Sequence, residues 1–252
     1  MIWARSSAVE HYGDIVGVAG SNPAAPTIIR LLIKNMTKKN YKEISIKIEN
    51  VRKNSSISEL AENFINLEKK YPNNTLILQN ISKAFLDIGE NSKALDYLLK
   101  AKKEEPDNFS IYFNLGTLYK KFKKDDEAVI NFKKSVSLNK KFITGFNMLA
   151  DIYLNKGELK EATECYKKSV NLDASKKNIM AINRLALAIV SIFLKDKDLK
   201  KLREAKKYFE KTYELDKDND IFYNQLINFY HLSGLKNEAV YHSKNRTGVF
   251  II

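Results

Sequence analysis

Residues 109–142 read FSIYFNLGTLYKKFKKDDEAVINFKKSVSLNKKF. Tyr112, Leu115, Gly116 and Tyr119 stand at i, i+3, i+4 and i+7, which is one face of an amphipathic helix. After a short turn, Ala128, Phe132 and Ser135 stand at i, i+4 and i+7 and form a second helical stripe. The acids Asp125, Asp126 and Glu127 begin that second helix, where negative charge favours the helix N-terminus. Ala128 is small enough to let the two helices approach, and Phe132 fills the gap beside it. The stretch is a helix pair.

The same pair recurs in both directions. Ala94, Ala128 and Ala162 are 34 residues apart, as are Ala205 and Ala239, and as are Pro72 and Pro106, the only prolines after Met36. Leu98, Phe132, Tyr166 and Phe209 each follow their alanine by four residues. Upstream, Phe85, Tyr119 and Tyr153 keep step, preceded by Ile81, Leu115 and Leu149. Gly89, Gly157 and Gly234 fall in the turn between the two helices, where a left-handed residue ends the first one. Gly116 falls at the helix crossing instead, and Pro72 and Pro106 stop the second helix of their units.

With those positions in place, the chain resembles the tetratricopeptide repeat family, whose pattern is W-x2-L-G-x2-Y, A-x3-F and P. The resemblance is best at 109–142 and continues at 143–176 (Phe146, Leu149, Ala150, Tyr153, Ala162, Tyr166) and at 75–108 (Leu78, Ile81, Ser82, Phe85, Ala94, Leu98, Pro106). Residues 220–245 carry Tyr223, Leu226, Tyr230 and Ala239. Residues 41–74 are a degenerate first unit, with Ile44, Ile48, Val51, Leu60, Phe64 and Pro72 in frame and Lys47 where leucine belongs. The resemblance implies an all-α fold, a right-handed superhelical solenoid of antiparallel helix pairs spanning 41–245.

Residues 177–219 break the spacing, because Ala205 lies 43 residues after Ala162. Two extra residues fit the loop around Lys176, and seven fall between Ile189 and Ala205. Seven residues make about two helical turns, so both helices lengthen without rotating their apolar faces. Ile182, Leu185, Ala186 and Ile189 fit the first helix, and Ile192, Phe193, Leu199 and Leu202 are expected to extend the two stripes.

Composition agrees. The 252 residues include nine Gly and four Pro, about 5% against roughly 12% on average, which disfavours a many-stranded sheet. No run approaches a membrane span. The net charge is +13, with only six Arg (Arg5, Arg30, Arg52, Arg184, Arg203, Arg246) among 43 basic residues. Nucleic-acid readers lean on arginine forks and stacking aromatics, so nucleic acid is not an expected partner. The single Cys165 cannot form an intrachain disulfide or a cysteine metal cage and suits a reducing, cytoplasmic compartment. His11, His231 and His242 carry no catalytic spacing, and Cys165 beside Tyr166 has no evident base. No enzyme activity, cofactor or metal is expected of this chain.

In the resembled fold the first helices line a concave groove that commonly holds an extended peptide or partner helix. The residues before each key leucine would face it: Gln79, Asn80 and Lys83; Phe113, Asn114 and Thr117; Asn147 and Asp151, with Met148 between; Asn183 and Arg184; and Asn224 and Gln225. Amide side chains donate and accept together, so a ladder of them can hold a peptide backbone of any sequence. This is similar to the asparagine ladder of O-GlcNAc transferases, interrupted here by Met148 and Arg184. The alternative is ordinary solvated polar residues. The carboxylate clamp of chaperone-binding repeats is not supplied by Phe113, Thr117 and Asp151.

The two ends stand apart. Residues 1–35 hold one lysine, Lys34, and the only tryptophan, Trp3. Gly20-Ser21-Asn22-Pro23 can be encoded GGT TCG AAT CC, similar to the T-arm of a transfer-RNA gene. A translated transfer-RNA gene upstream of a start at Met36 is expected, against a native disordered extension. Residues 246–252 form an apolar, β-prone stub with no polar capping helix of the kind a solenoid end needs. The stub motivates a second reading, in which the chain is the repeat region of a larger glycosyltransferase, sulfotransferase or 2-oxoglutarate-dependent oxygenase.

Overall fold

The structure is a computed structural model and describes residues 42–173 and 178–247. Twelve helices account for most of the described residues, in two compact units divided between Glu104 and Glu105. The first unit contains α1 (residues 42–54), α2 (Ile57–Lys70), α3 (Thr75–Asp87) and α4 (Asn91–Glu104). The second contains α5 (Phe109–Lys121), α6 (Asp125–Leu138), α7 (Ile143–Asn155), α8 (Leu159–Leu172), α9 (Ile179–Asp196), α10 (Leu199–Leu215), α11 (Asp220–Leu232) and α12 (Lys236–Thr247). Within each unit helices pack on their chain neighbours, most closely as the pairs α3 with α4, α5 with α6, α7 with α8 and α9 with α10. Residues 1–35 lie outside the described residues, as do 248–252 of the C-terminal stub, while 246 and 247 belong to α12.

Asparagine starts most first helices. The side chains of Asn74, Asn108, Asn178 and Asn219 accept from the backbone N–H of Ile77, Ser110, Ala181 and Ile221, satisfying donors that a helix start leaves without partners. At α7 the corresponding residue is Phe142, which makes no side-chain cap and packs its ring 4.9 Å from those of Phe109 and Phe113.

The turns within four of the pairs share one geometry. Gly89, Gly157 and Gly234 have φ of +84°, +75° and +75°, and Lys123 takes the same left-handed place with φ of +58°. The next residue then donates back across the helix end, Glu90 to Phe85, Lys124 to Tyr119, Glu158 to Tyr153 and Leu235 to Tyr230, at 2.8 to 3.0 Å. These bonds satisfy carbonyls at the helix C-terminus and reverse the chain.

The second helices α4, α6, α8 and α10 each seat an alanine and the following large side chain on the first helix of their pair. Ala94, Ala128, Ala162 and Ala205 are fully buried, and so are Phe132 and Tyr166, with Leu98 and Phe209 nearly so. Leu115 and Leu149 are buried as the period requires. Ser82, in step with Gly116, donates to the Ala94 carbonyl at 2.7 Å, so the crossing tolerates a small hydroxyl. In the degenerate first unit, Ile44, Ile48 and Phe64 are buried, and Lys47 turns its ammonium to Tyr71 and Glu43.

The expanded unit is a longer pair. Helices α9 and α10 have 18 and 17 residues, against 13 and 14 in α7 and α8. Ile192 is buried and Phe193 and Leu202 half-buried, as expected, but Leu199 is 62% exposed. Leu199 is the first residue of α10, directly after Lys197 in the left-handed conformation and the cap Asp198. It lies ahead of the stripe that packs against α9.

Candidate functional site

In the first unit, the side chains expected to face a groove are largely occupied. Asn80 is only 7% exposed; its amide oxygen accepts from Arg52 Nη2 at 2.6 Å and its NH2 donates to the Leu76 carbonyl at 2.7 Å. Gln79 Nε2 donates to the Thr75 carbonyl at 3.1 Å, and Lys83 is exposed. Both amides are therefore engaged within the first unit, Gln79 on α3 alone and Asn80 on α3 and with Arg52 of α1.

The second unit differs. Phe113 is half-buried against Phe132 and Phe142, Thr117 donates to the Phe113 carbonyl at 3.0 Å, and Asn114 is half-buried. Asn147 is half-buried, Asn183 is 3% exposed and Gln225 is half-buried. The side-chain oxygens of all three are enclosed and, among the described residues, have no hydrogen-bond partner. Asn224 is exposed. Asn147, Asn183 and Gln225 come from α7, α9 and α11, the first helices of three successive pairs. A buried acceptor without a donor costs about 1–3 kcal/mol, so these oxygens are an unmet demand for N–H or O–H groups.

Between them lies a charged group that spacing alone did not reveal. The Asp151 carboxylate accepts from the Tyr166 hydroxyl and pairs with the Arg184 guanidinium, joining α7, α8 and α9. Hydrogen bonding to Asp151 raises the pKa of Arg184, which stays charged, and burial, followed by the bond to Asp151, raises that of Tyr166. Arg184 stays 41% exposed along its side chain. It interrupts the amide ladder with a guanidinium held still by its own carboxylate. The clue in the sequence was the pair itself, an acid and an arginine at first-helix positions of adjacent units.

Burial pushes the Cys165 thiol up to about 11, so it stays protonated at neutral pH. Among the described residues no three His, Cys, Asp or Glu side chains converge as a metal site. Nor is any described helix long and apolar enough to cross a membrane.

Comparison with known proteins agrees with this architecture. The sequence pattern of the tetratricopeptide repeat matches residues 109–142 and 143–176. The chain is a tetratricopeptide repeat protein. It is 26% identical to protein O-mannosyl-transferase TMTC3 of Mus musculus over 180 residues, 65% of this chain and 19% of that protein. To the Homo sapiens protein it is 26% identical over 199 residues, 73% and 21%. The chain thus spans about a fifth of the length of these relatives. Among solved structures, YrrB, titled a TPR protein with an unusual peptide-binding site, superposes with a TM-score of 0.60 at 18% identity, over 72% of this chain and 89% of that one. MamA gives 0.56 at 24% identity, over 68% and 88%. These likenesses show the fold.

Proposed function

We propose that the chain is a noncatalytic scaffold that holds an extended segment of a partner protein along the first helices α5, α7, α9 and α11. The observation that carries this reading is the set of unpartnered amide oxygens on Asn147, Asn183 and Gln225. An extended peptide offers backbone N–H and C=O groups in alternation, and an amide that turns about its last bond can meet either. Phe113 supplies an apolar contact at one end of the row, and Arg184 offers charge-assisted hydrogen bonds to a partner carbonyl or carboxylate in its middle. Asn114 and Asn224 flank the row; Asn80 and Gln79 belong to the first unit's own bracing, and Lys83 stands exposed there. A peptide-binding site in the similarly folded YrrB accords with the reading, and a reducing, cytoplasmic setting accords with the lone thiol.

The test is selection of binding peptides from a random display library on the whole chain, followed by calorimetry with Asn147→Ala/Gln225→Ala. Each lost hydrogen bond is worth about 0.5–1.5 kcal/mol, so affinity should fall roughly five- to a hundredfold with the fold intact. Equal affinity of parent and variant for every selected peptide defeats the reading.

The second reading, a repeat region within a longer glycosyltransferase, has one specific support, the match to about a fifth of an O-mannosyl-transferase. Sequencing the transcript through both ends of the reading frame tests it. A catalytic domain in the same frame favours the longer enzyme, and stop codons on either side of the repeats defeat it.

A further inference from the structure

We propose that a cleft framed by α6, α7 and α8 binds an acidic peptide segment through one aromatic side chain, at a site separate from the first-helix amides. The cleft has a volume of about 500 Å3, within the roughly 300–1,000 Å3 of ligand pockets. Val136 from α6, Phe146 from α7 and Leu172 from α8 make an apolar floor, and Lys133, Lys140 and Lys168 stand around it. Gly145, which carries no side chain, lets α6 and α7 approach closely beside Val136. A Cβ there would come within 2.8 Å of Val136 Cγ1 and 2.6 Å of the Phe142 ring, pushing α6 and α7 apart.

Charge decides what such a floor accepts. Lys133 places its ammonium 5.6 Å from the Tyr153 ring centre and Lys168 places its own 5.8 Å from that of Phe146, so both lie along aromatic surface. Among the described residues no acidic side chain lines the cleft, and none of the three lysines forms an ion pair. By contrast Lys156, at the far end of α7, and Lys167, of α8, are paired, with Asp126 and Glu204 at 2.6 Å each. Three ammonium groups without a direct ion-pair partner among the described residues thus stand on the rim of one apolar hollow. A bare anion would satisfy the rim and leave the floor wet, and a neutral apolar group would fill the floor and leave the rim unpaired. An aromatic residue flanked by carboxylates meets both. Nucleic acid is disfavoured because the rim carries no arginine and the floor holds one aromatic ring, not the succession of stacking platforms that a strand of bases uses.

The probe is fluorescein-labelled Asp-Asp-Glu-Phe-Glu-Asp-Asp, titrated against the full chain by anisotropy. The comparison peptides carry alanine for phenylalanine, or asparagine and glutamine for the acids. Saturable binding is expected, weakened at least about tenfold in Lys140→Gln/Lys168→Gln and kept within about threefold in Lys140→Arg/Lys168→Arg. Both comparison peptides should bind at least about tenfold more weakly, and Asn147→Ala/Gln225→Ala should bind the probe like the parent. These lysines are exposed or lie at the rim, and circular dichroism of each variant should match the parent. The proposal is overturned by absence of saturable binding, by equal affinity for the alanine peptide, or by equal affinity of the glutamine variant. Equal loss in the arginine and glutamine variants, or displacement of the peptide by oleate or oligouridylate at lower concentration than by unlabelled peptide, also overturns it.

Discussion

The ring of Phe132 lies so close over Gly116 that a Cβ built on the glycine would come within 2.8 Å of two ring carbons. The contact locks α5 to α6, and Phe132 is fully buried. Gly116→Ala gains about 1 kcal/mol of helix propensity but overpacks the crossing by about 1–3 kcal/mol, so a net loss is expected in chemical denaturation. Phe132→Ala should cost about 3–5 kcal/mol. Because the two residues share one space, the double variant should lose less than the sum. A Gly116→Ala chain as stable as the parent would show that the ring yields.

The left-handed turn gives a paired prediction. Gly157 at φ +75° and Lys123 at φ +58° do the same work in adjacent units. Gly157→Ala should destabilise by about 1–2 kcal/mol, whereas Lys123→Gly should stabilise by about 0.5 kcal/mol, the relief of strain exceeding the added chain entropy. Opposite signs in the melting temperature are the result to look for.

Alkaline pH should unfold the second unit early. Burial raises the Cys165 thiol to about 11, and raises Tyr166 and Tyr230 beyond free tyrosine, aided by their bonds to Asp151 and Glu210. Above about pH 9 the unfolded chain releases protons that the folded one keeps, so it binds fewer and stability falls as pH rises. Below that range the contribution is complete. Tyr166→Phe/Tyr230→Phe should flatten the slope of unfolding free energy against pH, and a parent whose stability is level to about pH 11 contradicts the assignment.

The amides should divide by stability. Asn80 makes two hydrogen bonds, to Arg52 and to the Leu76 carbonyl, so Asn80→Ala should cost about 1–2 kcal/mol. Asn147 has no partner for its oxygen among the described residues, so Asn147→Ala removes an unmet acceptor and should leave stability unchanged or raise it by up to about 1–3 kcal/mol in the absence of a bound peptide. Equal losses would mean that the Asn147 oxygen is satisfied in solution.

The repeat register was legible because it is written in size rather than in chemistry. Ala128 and Ala162 must be small and Phe132 and Tyr166 large wherever two helices cross at a fixed period, and all four are fully buried. The lengthened α9 and α10 were legible for a related reason, since seven inserted residues return each stripe to its own face. Leu199 was misread because periodicity carries no information about where a helix begins. It falls at the first residue of α10, ahead of the packing surface.

By itself, the sequence determined the helix pairs, their order, the left-handed turns at Gly89, Gly157 and Gly234 and the residues that fill each crossing. All of these follow from local spacing and side-chain volume. Only the tertiary structure decided what each amide in the row does. Asn183 and Asn224 stand two residues before Leu185 and Leu226, and Asn80 one before Ile81; yet the first is buried with an unpartnered oxygen, the second is exposed and the third is bonded to Arg52. The tertiary structure also gathered Asp151, Tyr166 and Arg184, and brought Val136, Phe146 and Leu172 under three lysines. Hydrogen-bond partners and clefts arise from atoms on different helices, and a period along one chain fixes which residues face inward without fixing which atoms they meet.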